Sequence, residues 1–151
     1  MELSKKTKEY WTEKDWCDLK KAKTILDLFV IAERIINKMP KPIIQVCGPI
    51  GTGGLGSVDK NLNAFNNTII KLQNEGLIVF DQMPFEEPMQ KFKEKLLKGE
   101  YLESILTDFY LPIIESGFIS KFYFMPGWES SHGANWEYKE AQRLGIPITY
   151  L

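Results

Sequence analysis

The chain has 151 residues, 44% hydrophobic and 26% charged, which is enough apolar material for one compact domain with a real core. A formal net charge of -1 gives no electrostatic case for a nucleic-acid or membrane partner, and the longest apolar runs are too short to span a bilayer. Two cysteines, Cys17 and Cys47, make no disulfide framework, and the single histidine, His132, has no partner at metal-ligand spacing. No signal-like segment precedes the first helical pattern, so the expectation is a reduced, cytoplasmic protein with neither metal nor other cofactor.

Residues Met1 to Thr12 are polar and lysine-rich, and the first few are expected to be mobile. From about Glu13 to Lys38, apolar residues from Trp16 and Leu19 through Ile35 and Ile36 recur at helical spacing, an amphipathic helix in one or two pieces that Pro40-Lys41-Pro42 stops. Residues 1–42 therefore read as an N-terminal helical extension, either a cover for one side of the domain or a dimerisation arm. Residues 43–151 read as one α/β unit.

Ile43 to Cys47 is a short strand, followed at once by Gly48-Pro-Ile-Gly-Thr-Gly-Gly-Leu-Gly56. Ser57 to Glu75 follows as a helix, with Leu62, Phe65, Ile69 and Leu72 on one face and Gly76 as its stop; Leu77 to Phe80 is the next strand. This βαβ pattern predicts parallel strands, and ligands of open parallel sheets bind beyond the strands' carboxyl ends, where the glycine-rich loop lies. The loop matches neither the dinucleotide fingerprint nor the P-loop; it is an anion cradle or a flexible turn.

Asp81 to Pro88, with two prolines, is expected to be ordered loop, and Glu86 to Leu106 partly helical with a break at Gly99. Leu106 to Glu115 should be a short helix that starts or bends at Pro112, with Gly117 as its end. The third strand is placed at Lys121 to Met125 and the fourth at Ile148 to Leu151. Between them a helix begins after Ser130-Ser-His-Gly133 and ends at Gly145-Ile-Pro147. Its spacing puts Glu137, Ala141 and Leu144 on the face that packs on the sheet. Glu137 is thus a carboxylate at the rim of the core, beside a helix start whose free N–H groups suit an anion. On this pattern alone, Glu137 is either functional or a partner of the helix dipole, with Ser131 merely its cap.

The run Ser131-x-Gly133-x-x-x-Glu137-x-x-x-Ala141-x-x-x-Gly145-x-Pro147 resembles the C-terminal signature of the nucleoside 2-deoxyribosyltransferase-like superfamily. Val46-Cys47-Gly48-Pro49-Ile50 and its glycines are similar to the first-strand loop of the branch that hydrolyses 2'-deoxynucleoside 5'-monophosphates. The resemblance spans Ile43 to Leu151. It implies a Rossmann-like (flavodoxin-like) open parallel sheet of four or five strands with helices on both faces. It also implies cleavage of the N-glycosidic bond of a nucleoside or its 5'-monophosphate, with the sugar passed to water or to another base. Glu137 falls on the nucleophile that attacks C1', and Asp108 resembles the acid that orients the sugar or protonates the leaving base. Ser131, His132 and Gly133 fall on the phosphate-binding turn, and Gly48, Pro49, Ile50, Gly51, Gly53 and Gly54 on the wall around sugar and phosphate. The implied partner is a small-molecule nucleoside or nucleotide, and members are often homo-oligomers whose neighbouring subunits complete the site.

The chain departs from that pattern at several positions. Pro49 stands for a hydroxyl residue, no arginine lies between Ile50 and Gly53, and Lys60 is the nearest cation. Lys139 replaces a usual glycine, and Gln45 and Cys47 occupy the strand that often carries a tyrosine. Tyr123, Trp128, Trp136 and Tyr138 are candidates either to stack on a base or to pack in the core. A module that binds a nucleotide or an ADP-ribose-type ligand without cleaving it fits the same residues.

Overall fold

The computed structural model describes residues 1–95 and 103–151, so the expected break at Gly99 lies outside the described residues. Four strands, β1 (Ile43–Cys47), β2 (Val79–Phe80), β3 (Ile119–Phe124) and β4 (Ile148–Tyr150), form one sheet. All pairings are parallel and the order is β2-β1-β3-β4. Strand alternation divides β1 between two cores. Ile44 and Val46 pack with Val79 and with Phe65, Ile69 and Leu72 of one helix, Val58–Asn74. Ile43 and Cys47 face the opposite side with Phe122 and Phe124, where the other helices lie. Helices cover both faces, as expected.

The N-terminal extension is part of that second core. It forms a short α1 (Lys5–Lys8) and two longer helices, α2 (Glu13–Lys21) and α3 (Ile25–Lys38). Thr12 with Asp15, and Thr24 with Asp27, build reciprocal capping boxes, so the expected amphipathic stretch is two pieces broken at Ala22–Thr24. Leu28, Ile31, Ala32, Ile35 and Ile36 of α3 are buried in the cluster that holds Phe85, Phe109 and Ile113. Arg34 of α3 bridges Asp15 at 2.9 Å and Asp18 at 2.8 Å, and Lys38 reaches Asp15 at 3.0 Å. Burial alone would raise the Asp15 carboxyl, but the Thr12 N–H, Lys38 and Arg34 hold it well below the usual carboxylate range.

The polar start, expected to be mobile in its first few residues, is tied to the domain by side-chain contacts. Ser4 caps α1, the Thr7 hydroxyl donates to the buried Asp81 carboxylate at 2.6 Å, and Gln73 donates to Thr7 at 3.0 Å. An amide of Asn66 also holds the Glu2 carbonyl at 2.8 Å. Polar composition fails as a guide here because these side chains have buried partners waiting on other elements.

We number the Val58–Asn74 helix α4; Ser57 caps it and Gly76, at φ 93°, follows it. The stretch expected to be loop after β2 is helical instead: a 3-10 turn at Met83–Phe85 runs into α5 (Glu86–Lys93). Pro84 and Pro88 are compatible because both sit in first turns, where their missing N–H has no intrahelical partner to lose. A π-helical stretch, Ile105–Tyr110, passes into α6 (Leu111–Glu115), with Pro112 at its first turn. The last helix, α7 (His132–Leu144), is capped by Ser131 and closed by Gly145 at φ 69°. Its inner face is Ala134, Glu137 and Ala141; Leu144, expected there, is 38% exposed in the final turn beside the Gly145 reversal.

Because α3 contributes core and not merely cover, truncating one of its inward residues should be costly. Leu28, 0% exposed, is expected to lose about 2–5 kcal/mol of stability on Leu28→Ala, read from urea unfolding with an unchanged slope. A loss within about 0.5 kcal/mol, the usual scale of a surface change, would show that the extension is dispensable to the domain.

Candidate active site

The site is built where β1 and β3 end. Because side chains alternate along β1, Gln45 and Cys47 share the face turned to α7. Glu137, one turn into α7, meets them there and is only 8% exposed. The Gln45 amide donates to Glu137 Oε2 at 2.5 Å, and the Cys47 thiol lies 3.1 Å from the same oxygen. Oε1 has no hydrogen-bond partner among the described residues, and Glu137 lines a cleft of ≈ 150 Å³. Loss of water raises the Glu137 carboxyl from 4.5 to about 7, against the opposing pull of Cys47 and Gln45. The Cys47 thiol is itself pushed well up, first by burial and then by the neighbouring Glu137 charge.

Two loops tied to each other form the polar wall. Gly48, Ile50, Gly51 and Thr52 of the β1–α4 loop line the cleft with Ser131, His132 and Gly133. The Thr52 hydroxyl accepts the His132 N–H at 3.1 Å, and the Ser130 hydroxyl accepts the Gly54 N–H at 2.9 Å. Asn61 of α4 holds the loop from behind, donating to the Ile50 and Gly53 carbonyls, both at 3.0 Å, and accepting from the Leu55 N–H at 2.8 Å. Gly53 has φ 66°, and a Cβ there would stand 2.3 Å from the Ser130 carbonyl oxygen. Gly53, Gly54 and Pro49 thus serve loop packing and are not among the described lining residues, unlike the other loop positions expected there. In the first turn of α7, Ser131 accepts the Ala134 N–H at 3.2 Å. With His132 engaged by Thr52, Gly133 is the first-turn residue whose N–H has no partner among the described residues.

The opposite wall holds residues that sequence reasoning missed. Gln82, Glu86, Gln90 and Lys93 line the cleft together with Ile105, Leu106 and Tyr110. Glu86 is 6% exposed, and burial lifts its carboxyl from 4.5 to about 7, with only the Gln90 side chain pulling it down. The Gln82 amide donates to the Val46 carbonyl at 3.0 Å, while its own oxygen is buried without a partner. The two prolines point to loop over Asp81 to Pro88, while the helical pattern expected from Glu86 onward is borne out by α5 without marking Glu86 as a residue of the cleft.

Asp108, the expected second acid, is half-buried and hydrogen-bonded to Thr107 at 3.2 Å, and it is not among the described residues of the cleft. Leu106 and Tyr110, one turn apart, face the cleft, and a residue two positions from each points to the other side of the helix. Lys60 is exposed, and Lys93 is the lysine that lines the cleft. None of the four candidate stacking aromatics lines it: Trp128 stacks on Tyr138 at 4.9 Å beside Phe124, and Tyr123 packs on the α4 side of the sheet. Among the described residues no group of three or more His, Cys, Asp or Glu is placed to hold a metal, and no helix is long and apolar enough to cross a membrane.

An open parallel sheet with helices on both faces, and a cleft at the carboxyl ends of its strands, defines a Rossmann-like α/β domain. The chain belongs to the family described as Domain of unknown function (DUF4406), which it matches over residues 44–150. No curated protein and no solved structure matches it.

Raised carboxyl groups make stability fall with pH. The folded protein holds the Glu137 proton more tightly than the unfolded chain does, so this contribution is whole below about pH 4.5 and is lost as the pH rises through about 7. Glu137→Gln cannot ionise, so it should gain on the wild type by about 1–3 kcal/mol between pH 5 and pH 8. Urea unfolding at both pH values measures this. A difference that does not change with pH would mean that Glu137 is not desolvated.

Proposed function

We propose that this protein cleaves the N-glycosidic bond of a nucleoside or, preferably, a (deoxy)nucleoside 5'-monophosphate, with Glu137 as the nucleophile. The observation that carries the reading is the pairing of a buried carboxylate, one oxygen held and the other unpartnered, with a helix start in the same cleft. Gln45 and Cys47 anchor Oε2, which leaves Oε1 to form the bond to C1' while the C1'–N bond breaks and its electron pair goes to the base. A carboxylate also offsets the positive charge of the oxocarbenium-like transition state. Water, or a second base, then takes the sugar from Glu137.

Membership of the family and the match around Glu137 support the nucleoside deoxyribosyltransferase-like assignment. The phosphate preference is supported by the Gly133 N–H and by the Thr52 hydroxyl beside it at the start of α7. A homo-oligomer is proposed on the resemblance alone.

A second reading, a nucleotide or ADP-ribose-type binding module, draws on one observation. A carboxyl lifted to about 7 is only partly ionised at neutral pH, which weakens it as a nucleophile.

The test is base release from a panel of nucleosides and their 5'-monophosphates, followed by chromatography. Release from at least one member is expected, with a drop on the order of 10³-fold or more in Glu137→Gln. A wild-type protein that binds a nucleotide in calorimetry yet cleaves none would replace the enzyme reading with the binding one.

A further inference from the structure

We propose that Glu86 is the proton donor to the leaving base, so that the cleft works with one carboxyl on each side: Glu137 at C1' and Glu86 at the base. This rests on the N-glycosidase reading above and gives Glu86 the role that the resemblance assigned to Asp108.

In the order β2-β1-β3-β4, the end of β1 is flanked by the segments that leave β2 and β3. Glu86 comes from the first and Glu137 from the second, and both line the same cleft. A substrate centred over β1 therefore meets a carboxyl from either side. The two walls differ in chemistry, and that sets the substrate's direction. The α7 start and Thr52 present backbone N–H and hydroxyl groups, whereas the other wall joins the apolar surface of Ile105, Leu106 and Tyr110 to the side chains of Gln82, Gln90 and Lys93. Glu86 stands beside the apolar part of that second wall: the Phe85 and Phe109 ring centroids are 5.0 Å apart, tying the start of α5 to the 105–110 stretch. A sugar phosphate suits the N–H groups at the start of α7, and a base, with apolar faces and a polar edge, suits the mixed wall, so the base edge falls beside Glu86.

An acid in this role must keep its proton near neutral pH. Glu86 is buried and lifted to about 7, with Gln90 as its one stabilising partner. Glu137, by contrast, has two donors that favour its charge, Cys47 and Gln45.

The step balances. Glu137 forms a C1'–O bond as the C1'–N bond breaks, and the freed electron pair stays with the base, which takes the Glu86 proton. Glu86, now a carboxylate, accepts a proton from water as the water oxygen bonds to C1' and the Glu137–C1' bond breaks. Both carboxyl groups end as they began.

The experiment compares leaving groups in the whole chain. One substrate is the nucleoside 5'-monophosphate that the wild type cleaves fastest; the other is 4-nitrophenyl 2-deoxyribose 5-phosphate, whose nitrophenolate departs without a proton. Glu86→Gln is expected to lose about 10²–10³-fold in kcat/KM on the nucleotide and to stay within a few-fold on the nitrophenyl compound. Glu86→Asp, which keeps an acid and guards against a folding defect, should show a smaller loss on the nucleotide alone. Glu137→Gln should lose both activities. Equal losses on the two substrates in both Glu86 variants, or none on either, would overturn the assignment. So would a wild type that cleaves only the nitrophenyl compound. A wild type that cleaves neither removes the N-glycosidase reading itself, and the acid role with it.

Discussion

Burying one carboxylate between β1 and α7 governs the rest of this structure. An isolated charge there would be driven to neutrality, so Glu137 needs donors that are themselves fixed. They come from the inner face of β1, where Gln45 and Cys47 are held by the strand pairing with β3. The sheet register, the capped start of α7 and the small Ala134 and Ala141 on either side of Glu137 all serve the same contact. Even so, the carboxyl remains above its ordinary range. The fold sustains this local cost through its two apolar cores, as strained or desolvated functional groups generally require.

The parts of the site that depend on local rules could be read from the amino-acid sequence. Ser131 as a cap, Gly145 as a left-handed stop and Glu137 on the inner face of α7 follow from spacing and backbone preference. The glycine-rich loop after β1 was equally visible. What could not be read is what long-range packing decides. Glu137 and Gln45 are 92 positions apart, and nothing local specifies that strand side chains would meet that oxygen. Glu86 was hidden because prolines permit a first helical turn as readily as a loop. Asp108 was misplaced for a related reason: the π-helical stretch sets its own phase, and Leu106 and Tyr110 take the inward positions. The exposure of Leu144 shows a helix face ending before its periodicity does.

The N-terminal extension lies outside the family match of residues 44–150, yet it is physically inseparable from the site. Its helix α3 packs on the same cluster that contains Phe85 and Phe109, and those rings set where Glu86 and the 105–110 stretch approach the cleft. Thr7 reaches the buried Asp81 directly after β2, one residue before Gln82. The extension thus braces the wall that the family-matched residues present to a ligand, while making little of that wall itself.

The contact between Gly53 and Ser130 has an evolutionary consequence. Backbone at one loop touches backbone at the other, too closely for any side chain at position 53. The two loops are therefore a matched pair, like the halves of a clasp. Lengthening one, or adding bulk to it, pries the other away and changes the width of the opening at the start of α7. Descendants of this chain that acquire a substrate with a larger head group would have to alter both loops together, in step, rather than either alone.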